Sequence, residues 1–492
     1  MPVPLVAIGD SLTHGVTSGG VCRTDIAYPA LIARCLGDPD LDQFKRPDFT
    51  GEGGLPLNIE KLLRLLVEKF GNKIDLFEIA PAFLAVQNLL DRVEDYWETG
   101  EGTKASGTGS LHHNLGVLGF KLGNCDTLTD AVCRRILQKQ KLKDNFFQQL
   151  PELAMYRAAR RTLNPSLNGQ FEQYSQVTAA QEIAQTQGGI DNLIFWLGSN
   201  NCLGTVIQLK INWSKPEDIY KLAGEQSCNL WQPEHFRKLL KRIIPQIKAI
   251  NAKNVFLATI PHVTIPPICR GITPGRTGTD ALASNGYYEF YTHFWIWDDE
   301  FSKNPEQYPH LVGTEAKLID DIIDQYNQAI KEVATQEGFH VVDLCEKLDQ
   351  LAFRRQGGKV SYTFPTELID ALRTNVPHRI TSAEKPLIDT RYIRLNPNDN
   401  NPENRFIGGL IGLDGFHPTP VCYGLVAHEF LMKMKDIGVA INQPQSWWSD
   451  IVKSDKLLTA PPANLEYLEN TLGFLYHRTP LKKLLDILSG FY

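Results

Sequence analysis

Val3–Ile8 is a short, nearly continuous apolar run that ends in Gly9-Asp10-Ser11, the pattern by which a buried parallel strand delivers a turn at its carboxyl edge. Apolar residues then recur at helical spacing from Tyr28 through Leu31, Ile32 and Leu36, over Leu57–Phe70 and over Phe83–Trp97. Leu115–Phe120 reads as a second strand with glycines at its exit, and Ala131–Ala159 as helical. The Ala, Glu and Gln content of Val177–Gln187 predicts a helix, which passes through Gly188-Gly189 into an apolar strand ending at Leu197-Gly198. A helix over 233–252, with Phe236, Leu239, Leu240, Ile243, Ile247 and Ile250 on one face, precedes the strand Asn254–Ile260. Another helix, about 315–337, leads to the strand Gly338–Leu344. Strands alternating with helices predict an α/β domain built on a parallel sheet.

Stretches around 38–110, 201–232, 263–312 and 350–408 interrupt this alternation. Connections of that length inside one domain are functional loops, lids or small subdomains. The third carries Tyr287, Tyr288, Phe294 and Trp295 in a dense aromatic run, which makes these four candidates for a substrate platform. The expected organisation is one domain over 1–437 with these insertions, and a C-terminal extension over 438–492 docked on it. The extension breaks at Ala460-Pro461-Pro462 and ends in an apolar-periodic helix, Leu481–Ile487, for which contact with a membrane surface is the alternative to docking.

Composition narrows the class. With 42% hydrophobic and 22% charged residues over 492 positions, the chain is globular, and a net charge of −6 argues against a nucleic-acid partner. No apolar run approaches the ~18 residues of a membrane-spanning helix. The N-terminus lacks the basic and apolar regions of a signal peptide, so a cytoplasmic location is expected. The nine cysteines are scattered without CxxC pairs and read as reduced, buried thiols. Neither substrate nor oligomeric state is written in these features.

Candidate chemistry sits at the two ends of the α/β pattern. A serine hydroxyl needs a base, an orienting acid and oxyanion donors before it becomes an effective nucleophile. Ser11 lies where a strand meets a helix. Asp414-Gly415-Phe416-His417-Pro418 puts a carboxylate three residues before an imidazole across a Gly/Pro turn, so that one ring nitrogen can face Asp414 and the other a hydroxyl. Asn200 follows a buried strand and could donate its carboxamide N–H to an oxyanion, while Gly119 could present a backbone N–H without a side chain in the way.

Gly9-Asp10-Ser11-Leu12 followed by Asp414-x-x-His417 resembles the GDSL, or SGNH, hydrolase family, whose conserved blocks supply Ser, Gly, Asn and His in that order. The third block departs from the family's Gly-x-Asn-Asp, reading Gly198-Ser199-Asn200-Asn201. The second is the weakest match, Asn114–Gly119 fitting better than Gly53-Gly54. The resemblance implies a three-layer α/β/α, flavodoxin-like fold with a parallel sheet. It also implies a serine esterase or lipase-like enzyme acting on a small-molecule or lipid-like carboxylic ester, with no metal or organic cofactor. Carried onto this chain, it makes Ser11 the nucleophile, His417 the base and Asp414 its orienting acid. Ser11, Gly119 and Asn200 would form the oxyanion hole.

An acyltransferase using the same acyl-enzyme and a non-catalytic binding protein that keeps the fold are the alternatives. His14 reads as a surface or supporting histidine. His112, His113 and His262 read as structural, because no carboxylate or cysteine stands at metal-ligand spacing from them in the sequence.

Overall fold

The computed structural model describes residues 2–463 apart from 72–73, 76, 108, 140–149, 223–224, 277, 295, 297, 353–359, 382 and 396–405. Its centre is a parallel sheet of β1 (Val3–Gly9), β2 (Ile190–Trp196), β3 (Asn254–Ala258) and β4 (His340–Val342), in that spatial order. Register runs from Val3 opposite Ile190 to Gly9 opposite Trp196, so β1 and β2 end level with one another.

Alternation along each strand divides two cores. Val6, Ile8, Leu193, Phe195, Val255 and Leu257 face one layer, made of α3 (Gln176–Thr186), α4 (Pro233–Lys248) and α5 (Gly313–Glu337). Leu5, Ala7, Ile194, Trp196, Phe256 and Ala258 face the other, which contains α2 (Tyr28–Cys35), α6 (Leu344–Leu351), α7 (Pro420–Asp436) and α8 (Trp447–Ser454). The architecture is a three-layer α/β/α sandwich. A four-residue helix, α1 (Ser11–His14), leaves β1 at the carboxyl edge.

On the free side of β1, the expected strand Leu115–Phe120 is shorter and lies earlier. Leu115 N donates to Ala7 O at 2.9 Å and Val117 N to Gly9 O at 3.1 Å, but the only bridge pairs Asn114 with Ala7. The Asn114 side chain competes with a regular ladder by accepting from Gly116 N and donating to Thr13 O, both at 2.9 Å. The chain then turns at Gly119, whose φ is +76°.

The predicted helix Ala131–Ala159 is divided, giving Asp130–Lys139 and Ala154–Leu163, with Leu153 left-handed immediately before the second. The insertion 263–312 forms a three-stranded antiparallel sheet of Cys269–Ile272, Phe290–His293 and Leu311–Val312. Beyond the last core helix, Trp447 Nε1 donates to Leu31 O at 3.1 Å and the Trp448 ring closes over Gly424, where an added Cβ would lie 2.8 Å away. Leu481–Ile487 lies outside the described residues.

Candidate active site

Gly9 ends β1 in a space that holds no side chain, since a Cβ there would lie 1.9 Å from Thr13 Oγ1 and 2.9 Å from the Trp196 carbonyl. Asp10 caps α1, its Oδ1 accepting the Leu12 N–H at 3.0 Å. Burial pushes the Asp10 carboxyl up to about 7, its backbone hydrogen bonds only partly opposing. Ser11 opens the helix and lines a cleft at the carboxyl edge of the sheet.

The second arm is the tight turn before α7. Ile411 and Pro418 pair antiparallel, Gly412 N donates to His417 O at 2.8 Å, and Gly415 turns the chain with φ +87°. This folds Asp414 back onto His417, with Oδ2 2.7 Å from Nδ1. Gly19 N donates to the same oxygen at 2.6 Å, while Oδ1 accepts from Phe416 N and His417 N at 3.1 and 3.0 Å. Burial alone would raise this carboxyl, but the His417 ring and the N–H donors outweigh it and hold it below its usual value. His417 Nε2 is buried and has no hydrogen-bond partner. It looks onto the cleft that Ser11 lines, without a hydrogen bond between the two. Long or absent catalytic hydrogen bonds are common before substrate binds.

The third arm comes from β2. Gly198, at φ +132°, sits where a Cβ would lie 2.4 Å from Ile260 Cδ1. The following two asparagines clamp the segment after Gly119. Asn200 Nδ2 donates to Phe120 O at 3.0 Å, and Asn201 Oδ1 accepts from Leu122 N at 2.9 Å. Asn201 therefore makes, through its oxygen, a contact that an aspartate could also make. Asn200 Oδ1 is buried without a partner, and the residue lines the same cleft as Ser11 and His417. Gly119 lies beside that clamp, one residue before Phe120, and is not among the residues lining the cleft.

His14 is fully buried, not at the surface. Its Nδ1 accepts from Leu118 N at 3.2 Å, its ring meets Phe49 edge-on at 4.8 Å, and burial pushes the imidazole down to about 3. A neutral His14 thus holds the Leu118–Gly119 turn against α1. His112 and His113 are also tied structurally, the first to Thr162 O at 2.9 Å, the second to Lys45 N and Gln187 Oε1, each at 3.2 Å.

Two expectations change here. Tyr287, Tyr288 and Phe294 do not line the cleft, and Trp295 lies outside the described residues. These aromatics flank the middle strand of the insertion's sheet and are taken up by that sheet, by α5 and by Tyr392. Tyr288 packs over Gly271, Tyr287 donates to Asp320 Oδ2 at 2.9 Å, and Phe294 leans on Tyr392 with ring centres 4.9 Å apart. His262, read as structural because no partner stands at ligand spacing in the sequence, is flanked by partners from distant segments. Asp349 Oδ1 is 2.9 Å from Nδ1, Asp324 Oδ1 is 3.2 Å from Nε2, and Cys345 Sγ is 3.5 Å from Nδ1. Burial disfavours its charged ring, but the Asp324 and Asp349 carboxylates outweigh that and push it up to about 12. His262, Asp324 and Cys345 place one donor atom each within 4.8 Å of one another, the grouping among the described residues with donors suited to a metal ion.

The space between the walls of this half-open cleft, bulk solvent at its mouth included, is about 910 Å³. Beyond Ser11, Asn200 and His417, its walls are mainly apolar, including Leu12, Trp196, Leu203, Val263 and Phe416. Apart from Leu12 and Phe416, which stand inside the Gly9–Leu12 and Asp414–Pro418 motifs, no motif marks these residues. Trp196, Leu203 and Val263 are signalled only by standing at or after the carboxyl ends of core strands, where open α/β sheets bind ligands.

A family model described as GDSL-like Lipase/Acylhydrolase matches residues 121–430. The matched span contains Asn200, Asp414 and His417, and begins after Ser11 and Gly119. Neither the curated proteins nor the solved structures contain a match to the chain.

Proposed function

The chain belongs to the GDSL-like lipase/acylhydrolase family, and on that premise we propose that it cleaves a carboxylic ester through an acyl-enzyme on Ser11. The observation that carries the reading is the state of His417. One ring nitrogen is fixed on Asp414 at 2.7 Å, and the other is buried and unpartnered beside the cleft that Ser11 lines. An imidazole held in that way has its Nδ1 proton committed to the carboxylate and its Nε2 lone pair available to a hydroxyl.

In the proposed sequence, Ser11 Oγ attacks the ester carbonyl while His417 Nε2 takes the serine proton. The tetrahedral oxyanion is received by the Ser11 N–H and by the Asn200 carboxamide, one of whose two N–H groups already goes to Phe120 O; Gly119, which does not line the cleft, adds its N–H only if its turn shifts toward the ester. Collapse expels the alcohol, protonated by His417. Water then enters, His417 takes its proton, and a second tetrahedral species releases the acid and regenerates Ser11. Donors aimed at the developing oxyanion are worth about 3–4 kcal/mol each in a site of this kind. The apolar walls favour an ester whose acyl part is hydrocarbon.

The test compares the parent with Ser11→Ala on p-nitrophenyl butyrate, together with labelling by a fluorophosphonate probe. The expected result is turnover and labelling in the parent and neither in the variant, with the circular dichroism spectrum unchanged. Equal turnover in both proteins would remove Ser11 as nucleophile. Adding glycerol or another alcohol as acceptor separates hydrolysis from acyl transfer through the identity of the product.

A further inference from the structure

The walls of the cleft have a repeat that the reaction itself does not require. On α7, the lining residues are Cys422, Leu425, Val426 and Glu429, and on α6 they are Leu344, Lys347, Leu348 and Leu351. Both sets step by three and four residues, the spacing that places side chains on one helix face. The two helices therefore present facing stripes: the α7 stripe is apolar up to Glu429, and the α6 stripe is leucine except at Lys347, midway along it. There, Lys347 Nζ lies 3.4 Å from Glu429 Oε2, and Tyr362 donates its hydroxyl to Glu429 Oε1 at 2.6 Å. The other end of α7 begins just after His417 and Pro418, which line the same cleft.

We propose that the groove between α6 and α7 is an acyl-chain ruler that takes a straight acyl chain of roughly eight to twelve carbons, with the Lys347–Glu429–Tyr362 cluster as its stop. This rests on the ester-cleaving reading above and names the acyl part of its substrate. The length follows from helix geometry. At about 1.5 Å per residue, α7 carries the wall roughly 13–14 Å from its first residue, Pro420, to Glu429, and Pro418 and Thr419 extend it toward His417. A zigzag chain of ~1.5 Å carbon–carbon bonds advances roughly 1.3 Å per carbon, and its terminal methyl must halt about one van der Waals contact short of the cluster.

Apolar contact along the two stripes makes each added methylene favourable while it remains between the helices. The cluster reverses the sign, because a methyl group pushed onto it would strip water from an ion pair and a hydrogen-bonded phenol without replacing those interactions. Half-buried Leu348 and Val426 leave part of the groove's apolar lining reachable from solvent.

The experiment measures kcat/KM for p-nitrophenyl esters from acetate to palmitate, and the binding of free fatty acids of the same lengths to Ser11→Ala by calorimetry. The expected profile climbs about two- to fourfold per added methylene, then stops climbing between eight and twelve carbons. Val426→Phe should cut the ratio of decanoate to butyrate activity at least tenfold. Lys347→Leu combined with Glu429→Leu should move the break to longer chains. Ser11-dependent turnover that is flat or falling from acetate onward would overturn the ruler and leave the hydrolase reading intact. Length-dependent binding to Ser11→Ala with the same break, but no turnover by the parent, would support the ruler and overturn the hydrolase reading. Neither turnover nor binding at any length would overturn both. If either substituted protein fails to fold, the parent profile alone decides.

Discussion

The Gly19 N–H donates to Asp414 Oδ2 at 2.6 Å, the same oxygen that faces His417 Nδ1 at 2.7 Å. A loop next to the nucleophile's helix thus fixes the carboxylate that orients the imidazole, nearly four hundred residues away in the chain. The hydrogen bond serves function as well as folding, since it leaves Oδ2 no freedom to rotate away from the ring.

Asp414→Asn should therefore lose more than charge. Either orientation of the amide presents an N–H group to at least one backbone or ring N–H donor, and kcat on p-nitrophenyl butyrate should fall by about 10³–10⁴. The native carboxyl is held below its usual value of 3.8. Its stabilisation is complete above that value and is lost as pH falls through the lower folded one. The parent's melting temperature should accordingly drop in acid more steeply than the variant's, as read by thermal denaturation between pH 2 and 5.

The two adjacent asparagines should separate by phenotype. Asn200→Ala removes the carboxamide that reaches Phe120 O and should lower kcat about 10²–10³-fold. Asn201→Asp keeps an oxygen for the Leu122 N–H and should remain within a few-fold of the parent. Asn201→Ala leaves that buried donor unpaired and should cost about 1–3 kcal/mol of stability, measurable by urea denaturation. Equal losses from Asn200→Ala and Asn201→Asp would contradict this division.

Asp10 carries the opposite pH signature from Asp414. Burial raises its carboxyl from 3.8 to about 7, so folding prefers the protonated acid. That contribution is present in full below the unfolded value and is lost as pH rises through about 7. Asp10→Asn cannot ionise, and its side-chain oxygen can still accept from Leu12 N. Its melting temperature relative to the parent should rise between pH 4 and pH 8; a difference that stays constant over that range would refute an ionising Asp10.

Gly116 packs directly on α1. A Cβ there would lie 2.4 Å from His14 N and 2.7 Å from Thr13 C, both backbone atoms. Gly116→Ala should push the 114–119 segment away from the nucleophile's helix, destabilising the fold by about 1–3 kcal/mol. Fluorophosphonate labelling of Ser11 should slow in parallel, through displacement of the neighbouring Gly119 turn. An alanine variant with parental stability and labelling rate would show that the segment does not support the site.

Much of the layered fold was legible because apolar periodicity reflects burial directly. The runs at Val3–Ile8, Asn254–Ala258 and before Leu197 are strands because both faces of a parallel sheet are covered, and the stripe through Phe236, Leu239 and Ile243 is helical because one face is buried. Where local side-chain bonding competes with the ladder, as at Asn114, periodicity overstated the strand. The left-handed Leu153 likewise divided a segment whose composition suggested one continuous helix.

By itself the sequence determined the alternation of elements, the family and the few polar groups whose spacing encodes chemistry, above all Asp414 and His417, because a three-residue offset across a Gly/Pro turn is a local constraint. Only the tertiary structure decided which side chains form the cleft. The aromatic run around Tyr287 found its partners on its own sheet, on α5 and at Tyr392, and the apolar walls came instead largely from residues on β2, α6 and α7. His262 acquired Asp324, Cys345 and Asp349 in the same way. Apolar contact and ion pairing carry no sequence signature of their partners, since their energies depend on proximity in space, whereas a turn and a strand end are set by neighbours along the chain.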